Sequence, residues 1–345
     1  MGKWTDHLTQ DGQSIDAEKA QADLVADQAN ARAAQLQDEN DALRKALEEA
    51  QVPVDPPPPP PPDPKTQMWV GSSLYNPGGE TMLQGYDRRC KAWGVDDLEM
   101  TRFFFPQMPT GWPQFGTANT VVSFKPSGYD VKGFGEGKYD SQTTNWLNSL
   151  PRDKKVRRVA IFHEREDDIE DHKFTFAEAK AMDRKMRTLI DEANARNGTK
   201  ITFGIVFMGW TLQESSGRKI ENYLPTDFKY DWIGWDAYPG NSASLDLPDF
   251  RYTKELFGKC KNATLAHNPK ANYYICETGS SNKGLDPVVY DGKQAQWIEG
   301  ATKIALDLGF KGFMYWDSVV GTGPANDYQV KAPKAAAAMG VAIKA

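Results

Sequence analysis

Val159-Ala-Ile-Phe-His-Glu164 and Tyr273-Tyr-Ile-Cys-Glu277 each end a short apolar run on a glutamate. β-Branched and aromatic runs bounded this sharply read as buried strands. A carboxylate at the C-terminal end of such a strand stands where the chain leaves the core. Outward from these two segments, strand-like and helix-like runs alternate from about Gln67 to the C-terminus. The strand candidates are Met68–Ser73, Met100–Phe105, Thr120–Phe124, Arg158–His163, Ile201–Phe207, Trp232–Asp236, Tyr273–Cys276 and Gly312–Trp316. Helical patterns at Glu80–Trp93, Ser141–Leu150, Thr175–Arg196, Tyr252–His267 and Lys293–Leu308 separate most of them. Eight strands in about 280 residues predict an α/β fold, a (β/α)8 TIM barrel over residues 67–345. A doubly wound sheet would require a glycine-rich phosphate loop after an early strand. Gly133-Phe-Gly-Glu-Gly137 has the wrong spacing for one.

The N-terminal part reads differently. Residues 1–14 form a tail. Residues 15–51 are rich in Ala, Gln, Asp, Glu and Leu, and 15–50 carry a heptad with Ile15, Ala22, Ala29, Leu36, Leu43 and Ala50 at d and Lys19, Ala26, Ala33, Asn40 and Leu47 at a. That is a coiled-coil seam, and it predicts a homo-oligomer through residues 15–50, with Asn40 positioned to set register. Residues 52–66 form a linker, and within it Pro56–Pro64 is proline apart from Asp63. Such a run is a semi-rigid polyproline II spacer.

Charge follows the same division. Through Lys65 there are 6 Lys+Arg against 13 Asp+Glu, while the rest of the chain holds 35 against 34. The acidity belongs to the N-terminal arm, and no basic face suggests nucleic acid. No apolar run is long enough for membrane insertion, and Met1-Gly-Lys-Trp-Thr-Asp lacks the character of a signal peptide. The three cysteines, Cys90, Cys260 and Cys276, have no metal-binding spacing and read as buried free thiols.

In a (β/α)8 barrel the C-terminal strand ends form the active-site face. Glu164 on the fourth strand and Glu277 on the seventh would then face each other across the mouth. Two carboxyl groups so placed can cleave a glycosidic bond, one as general acid and one as nucleophile. The other strand ends add Asp236-Ala-Tyr238, Tyr315-Trp316-Asp317 and Met208-Gly-Trp210, with Trp112 just beyond the second strand. Aromatic rims suit the C–H faces of sugars. Trp210, Trp316 and Trp112 are therefore candidates for substrate binding beside Asp236, whereas Trp235 reads as core. The acidic stretch Glu164–Asp171 lacks the pattern of a calcium loop and reads as a solvated acidic turn; His163 and His172 have no third partner for zinc. No metal or other cofactor is expected.

These residues resemble glycoside hydrolase family 26, the β-mannanase family of clan A. The carriers are Glu221-Asn-Tyr-Leu-Pro-Thr-Asp-Phe-Lys-Tyr-Asp-Trp-Ile-Gly-Trp-Asp-Ala-Tyr-Pro239, Phe162-His-Glu164, Cys276-Glu-Thr-Gly-Ser280, Lys293-Gln-Ala-Gln-Trp-Ile298 and Gly312-Phe-Met-Tyr-Trp316, in that family's order across most of residues 68–318. The resemblance implies Glu164 as acid/base and Glu277 as nucleophile. It implies His163 orienting a carboxylate or touching sugar, Tyr238 hydrogen-bonding the nucleophile, and Trp316 as a sugar platform. Arg165-Glu-Asp-Asp168 replaces the family's usual Met-Asn-Gly-like turn, and Thr278 replaces Phe. The resemblance thus reaches the hydrolytic pair but not the mannan.

An acidic coiled coil, a proline spacer and a glycan-directed barrel without a signal peptide also resemble minor tail proteins of phages infecting actinobacteria. That layout implies a place in the virion tail (otherwise the cytoplasm), contacts with other tail proteins, and a polysaccharide of the cell surface or cell wall as substrate or receptor. Three functions fit: a retaining glycoside hydrolase, a barrel that keeps the cleft without turnover and binds a receptor glycan, or a structural tail component whose main part is the coiled coil. Both glutamates favour the first.

Overall fold

The computed structural model describes residues 68–74, 80–113, 119–152, 155–239, 247, 249–281, 286–318 and 327–345, together with 32, 35, 37–39 and 41. The chain divides into two compact units, Met1–Asp63 and Pro64–Ala345. In the first, the described residues are helical and exposed, tied by i,i+4 bonds from Gln35 to Glu39 and Gln37 to Asp41. The seam residues Leu36, Leu43 and Leu47 and the proline run lie outside the described residues.

In the second unit, eight parallel strands close on themselves in sequence order: β1 (Trp69–Leu74), β2 (Met100–Phe105), β3 (Asn119–Phe124), β4 (Val156–Ile161), β5 (Lys200–Met208), β6 (Trp232–Asp236), β7 (Asn272–Thr278) and β8 (Gly312–Trp316). β1 pairs with both β2 and β8, so no edge is left open. The (β/α)8 barrel predicted from the alternation of runs is the observed fold.

Strand alternation sorts the core into two layers. One residue set fills the barrel interior: Met100, Val121, Ala160, Val206, Trp232, Tyr274, Cys276 and Met314. Their strand neighbours, among them Phe103, Val122, Val159, Phe207, Ile233 and Phe313, face the surrounding helices. Gly204 of β5 is needed inside, because a Cβ there would overlap the Trp232 indole.

The helices begin and end where local chemistry dictates. Thr81 and Gln84 form a capping box for Met82–Trp93, which stops at left-handed Gly94. Thr175 and Glu178 do the same for Phe176–Asn197, which stops at Gly198. Asp286 accepts from two backbone N–H groups ahead of Pro287–Asp307. The sequence reading missed the short helices Val131–Gly135, Glu166–Glu170 and Ile220–Tyr223, and the closing helix Pro333–Lys344. The first three are too short to show periodicity.

Candidate active site

β4 ends at Ile161, three residues before the glutamate expected at its tip. Phe162 and Glu164 both take left-handed backbone, with φ of 52° and 50°. That turn breaks the alternation. Phe162, which would otherwise point into the barrel, packs outward against Phe174, with ring centroids 4.7 Å apart. His163 and Glu164 instead line the cleft. The Glu164 N–H donates to the Val206 carbonyl and anchors the turn to β5.

β7 uses another device. Its register slips between Ile275 and Thr278. Cys276 faces the barrel interior, so strict alternation would send Glu277 outward to the helices. The irregularity turns Glu277 inward as well. Arg102 of β2, fully buried, reaches it: Nη1 lies 2.5 Å from Asp236 Oδ1 and 3.1 Å from Glu277 Oε1. The Tyr238 hydroxyl donates to Glu277 Oε2 at 3.0 Å.

Glu164, Asp236 and Glu277 each offer one oxygen within 4.8 Å of the other two. Two of these carboxylates, Asp236 and Glu277, share the Arg102 guanidinium. Burial pushes the Glu164 carboxyl up to about 8; the Asp236 charge adds to this and Arg102 opposes it. Burial also raises Asp236 and Glu277. Glu277, however, accepts from both a guanidinium and a phenol, and those bonds favour its ionised form. The proton retained at neutral pH therefore belongs on the Glu164 side. Arg102 holds the position between carboxylates that a cation would need. A fit for a resident metal is not what this donor set presents.

Glu164 and Glu277 line the floor of a cleft of about 670 Å³. Its walls are largely aromatic: Phe104, Phe105, Tyr129, Tyr238, Trp316 and Tyr328. Phe104 meets His163 and Trp316 edge-on, at 5.2 Å and 5.8 Å between centroids. Burial, then the nearby Arg102, holds the His163 imidazole well below its ordinary value, so the ring is neutral.

Of the residues singled out in the sequence, Glu164, Glu277, His163, Tyr238 and Trp316 converge on this cleft. Three do not line it. Asp236 is buried beneath it as the partner of Arg102. Trp210 stands half exposed on the short turn Gly209–Leu212 after β5. Trp112 folds back down the outside of the barrel, its ring 5.7 Å from the Arg157 guanidinium near the start of β4. Residues past a strand end can run down the outer wall as readily as over the mouth, and spacing does not tell these apart.

The acidic turn is not a solvated loop. Arg165, Glu166 and Asp168 are buried. Arg165 grips Asp183 with both Nη atoms, at 2.7 and 3.0 Å, and the Tyr230 hydroxyl adds a third bond to Asp183. Glu166 Oε1 accepts from the Met208 N–H and the Thr211 hydroxyl. The turn that departs from the family 26 pattern thus fastens the segment after Glu164 to β5 and to the helix Phe176–Asn197.

Sequence reading missed Arg102, Phe104, Lys125 and Tyr129. The signal for the first three was present. Counting by twos from Met100 gives Arg102 and Phe104, and from Val121 gives Lys125, all on the interior face.

No protein-family model matches the chain, and no curated protein matches it. Solved structures with the same fold do. A GH5-4 broad specificity endoglucanase from Clostridium cellulovorans superposes with a TM-score of 0.52 at 12% identity, covering 81% of this chain and 95% of that one. A family 5 xyloglucanase from Paenibacillus pabuli gives 0.51 at 11%, covering 81% and 98%. CJP38, a β-1,3-glucanase and allergen of Cryptomeria japonica pollen, gives 0.51 at 11%, covering 76% and 94%. At such identity the likeness is one of fold, a barrel shared with glycoside hydrolases.

Proposed function

We propose that the protein is a retaining glycoside hydrolase, with Glu277 as nucleophile and Glu164 as acid/base. The observation that carries this reading is the spacing of the two carboxylates, within 4.8 Å at their near oxygens. Retaining enzymes hold them about 5–5.5 Å apart, whereas inverting ones leave room for water at about 6.5–9.5 Å. In the first step Glu277 attacks the anomeric carbon while Glu164 gives its proton to the departing oxygen. In the second, Glu164 takes a proton from water as that water displaces Glu277. Tyr238 and Arg102 hold the nucleophile, and Asp236 holds Arg102.

The aromatic walls favour a polysaccharide. The heptads and proline run favour an oligomeric stalk carrying several such barrels, which raises the effective concentration of a weak glycan site. Both fit a tail component acting on a cell-surface or cell-wall glycan. The solved structures named above bear family 5 and glucanase names, so a family 26 lineage rests on the motifs quoted from the sequence alone.

The test is product release from cell-wall polysaccharides, β-glucans and β-mannans by wild type beside Glu277→Gln. A 2-deoxy-2-fluoro glycoside with a good leaving group should also trap Glu277, read by peptide mass. Release by wild type and label on Glu277 are expected. Binding without release by either protein would make the barrel a receptor-binding module instead.

A further inference from the structure

Lys125 follows β3, and alternation turns its side chain into the cleft. Its ammonium sits 4.8 Å from the Phe162 ring centroid and 5.2 Å from that of Tyr129. The carboxylate facing it is Asp168, with Oδ2 at 3.5 Å, too far for a charge-assisted hydrogen bond. The other Asp168 oxygen lies 2.5 Å from Lys173, which also meets Asp171 at 3.4 Å. The ammonium is therefore held by charge and two ring faces, while its three N–H donors make no hydrogen bond among the described residues. It is also the one cation among the described lining residues, since Arg102 lies buried beneath the carboxylates.

Tyr129 supplies the second half. It is half exposed, with φ of 59°, directly after Gly128 at 62°. Left-handed backbone at a tyrosine costs on the order of 1 kcal/mol and persists where its surroundings hold it. Here it lays an aromatic ring beside the Lys125 ammonium, on the Glu164 flank of the cleft. An aromatic face and a cation with unused donors, side by side, match a sugar ring bearing a negative charge.

We propose that Lys125 and Tyr129 form a subsite for an anionic substituent on a sugar ring, a uronate-type carboxylate or a phosphate, so that the glycan is acidic. The proposal rests on the cleft being a glycan site. Binding is therefore measured apart from turnover, by calorimetry on Glu277→Gln, with three oligosaccharide sets of matched length: neutral, uronate-bearing and phosphate-bearing. One acidic set should bind about 10-fold or more tighter than the neutral set at low salt, and the preference should shrink as salt rises. Adding Lys125→Met should remove that preference, and Lys125→Arg should keep most of it. The ratio of acidic to neutral affinity is the readout, so a general loss of binding does not mimic the effect. Neutral glycans bound as well as both acidic sets, or a preference that survives Lys125→Met, would overturn the subsite and leave the hydrolase standing. Failure of every set to bind would overturn both.

Discussion

At Glu164 the proton is held by burial, and this makes activity and stability fall together as pH rises. A general acid must be protonated, so kcat/KM should fall as pH rises through about 8. The same carboxyl ionises near 4.5 when unfolded. Between those values the folded state binds more protons than the unfolded state, so its contribution to stability is full below about 4.5 and is lost as pH rises towards 8. That loss is on the order of a few kcal/mol. Glu164→Gln should match wild type in Tm near pH 5 and exceed it near pH 8, as thermal melts would show; an equal difference at both pH values would contradict this. In catalysis the same variant should lose about 10²- to 10⁴-fold, least with good leaving groups, whereas Glu277→Gln should leave no turnover. Steady-state rates on aryl glycosides of graded leaving-group pKa would separate the two roles.

Between elements, the site depends on how β4 and β5 are tied to their neighbours. Arg165 and Asp183 are fully buried and bonded in pairs. Asp183→Asn should cost about 3–5 kcal/mol by stranding the guanidinium charge, and Arg165→Met combined with Asp183→Leu should recover much of that. Urea unfolding would show it; equal losses in the single and double variants would argue against the pair as the cause. Gly204→Ala presses a methyl into the Trp232 indole and backbone carbonyl. Overpacking in the barrel centre should cost about 1–3 kcal/mol or more, with the cleft residues untouched.

For the molecule as a whole, the C-terminal unit closes its own barrel and has its own core. Residues 68–345 expressed alone should fold cooperatively and keep full kcat on short substrates. If residues 15–50 associate as their heptads propose, the full chain should sediment as an oligomer and the truncated chain as a monomer, with binding to long polymers weakened in the latter. A truncated chain that remains oligomeric would place the interface on the barrel.

Periodicity is local, so the barrel and most of its helices were legible in the sequence. Hydrophobic runs of period 2 and 3.6, caps such as Thr81 and Thr175, and stops such as Gly94 and Gly198 act within a few residues of themselves. Glu164 and Glu277 were legible as a pair: one charge ending an apolar run can be a salt bridge or a cap, but two on the fourth and seventh strands of a barrel point to its mouth. The orientation of side chains was not legible. Two departures from alternation, the left-handed turn at Phe162 and the register slip in β7, aim the two glutamates at one point. Asp236 falls beneath the cleft because Arg102, 134 residues earlier, takes it as a partner. Trp112 and Trp210 leave the cleft because nothing beside them in sequence says which wall a loop will follow. Such outcomes depend on contacts across the closed sheet, and those exist only once all eight strands are in place.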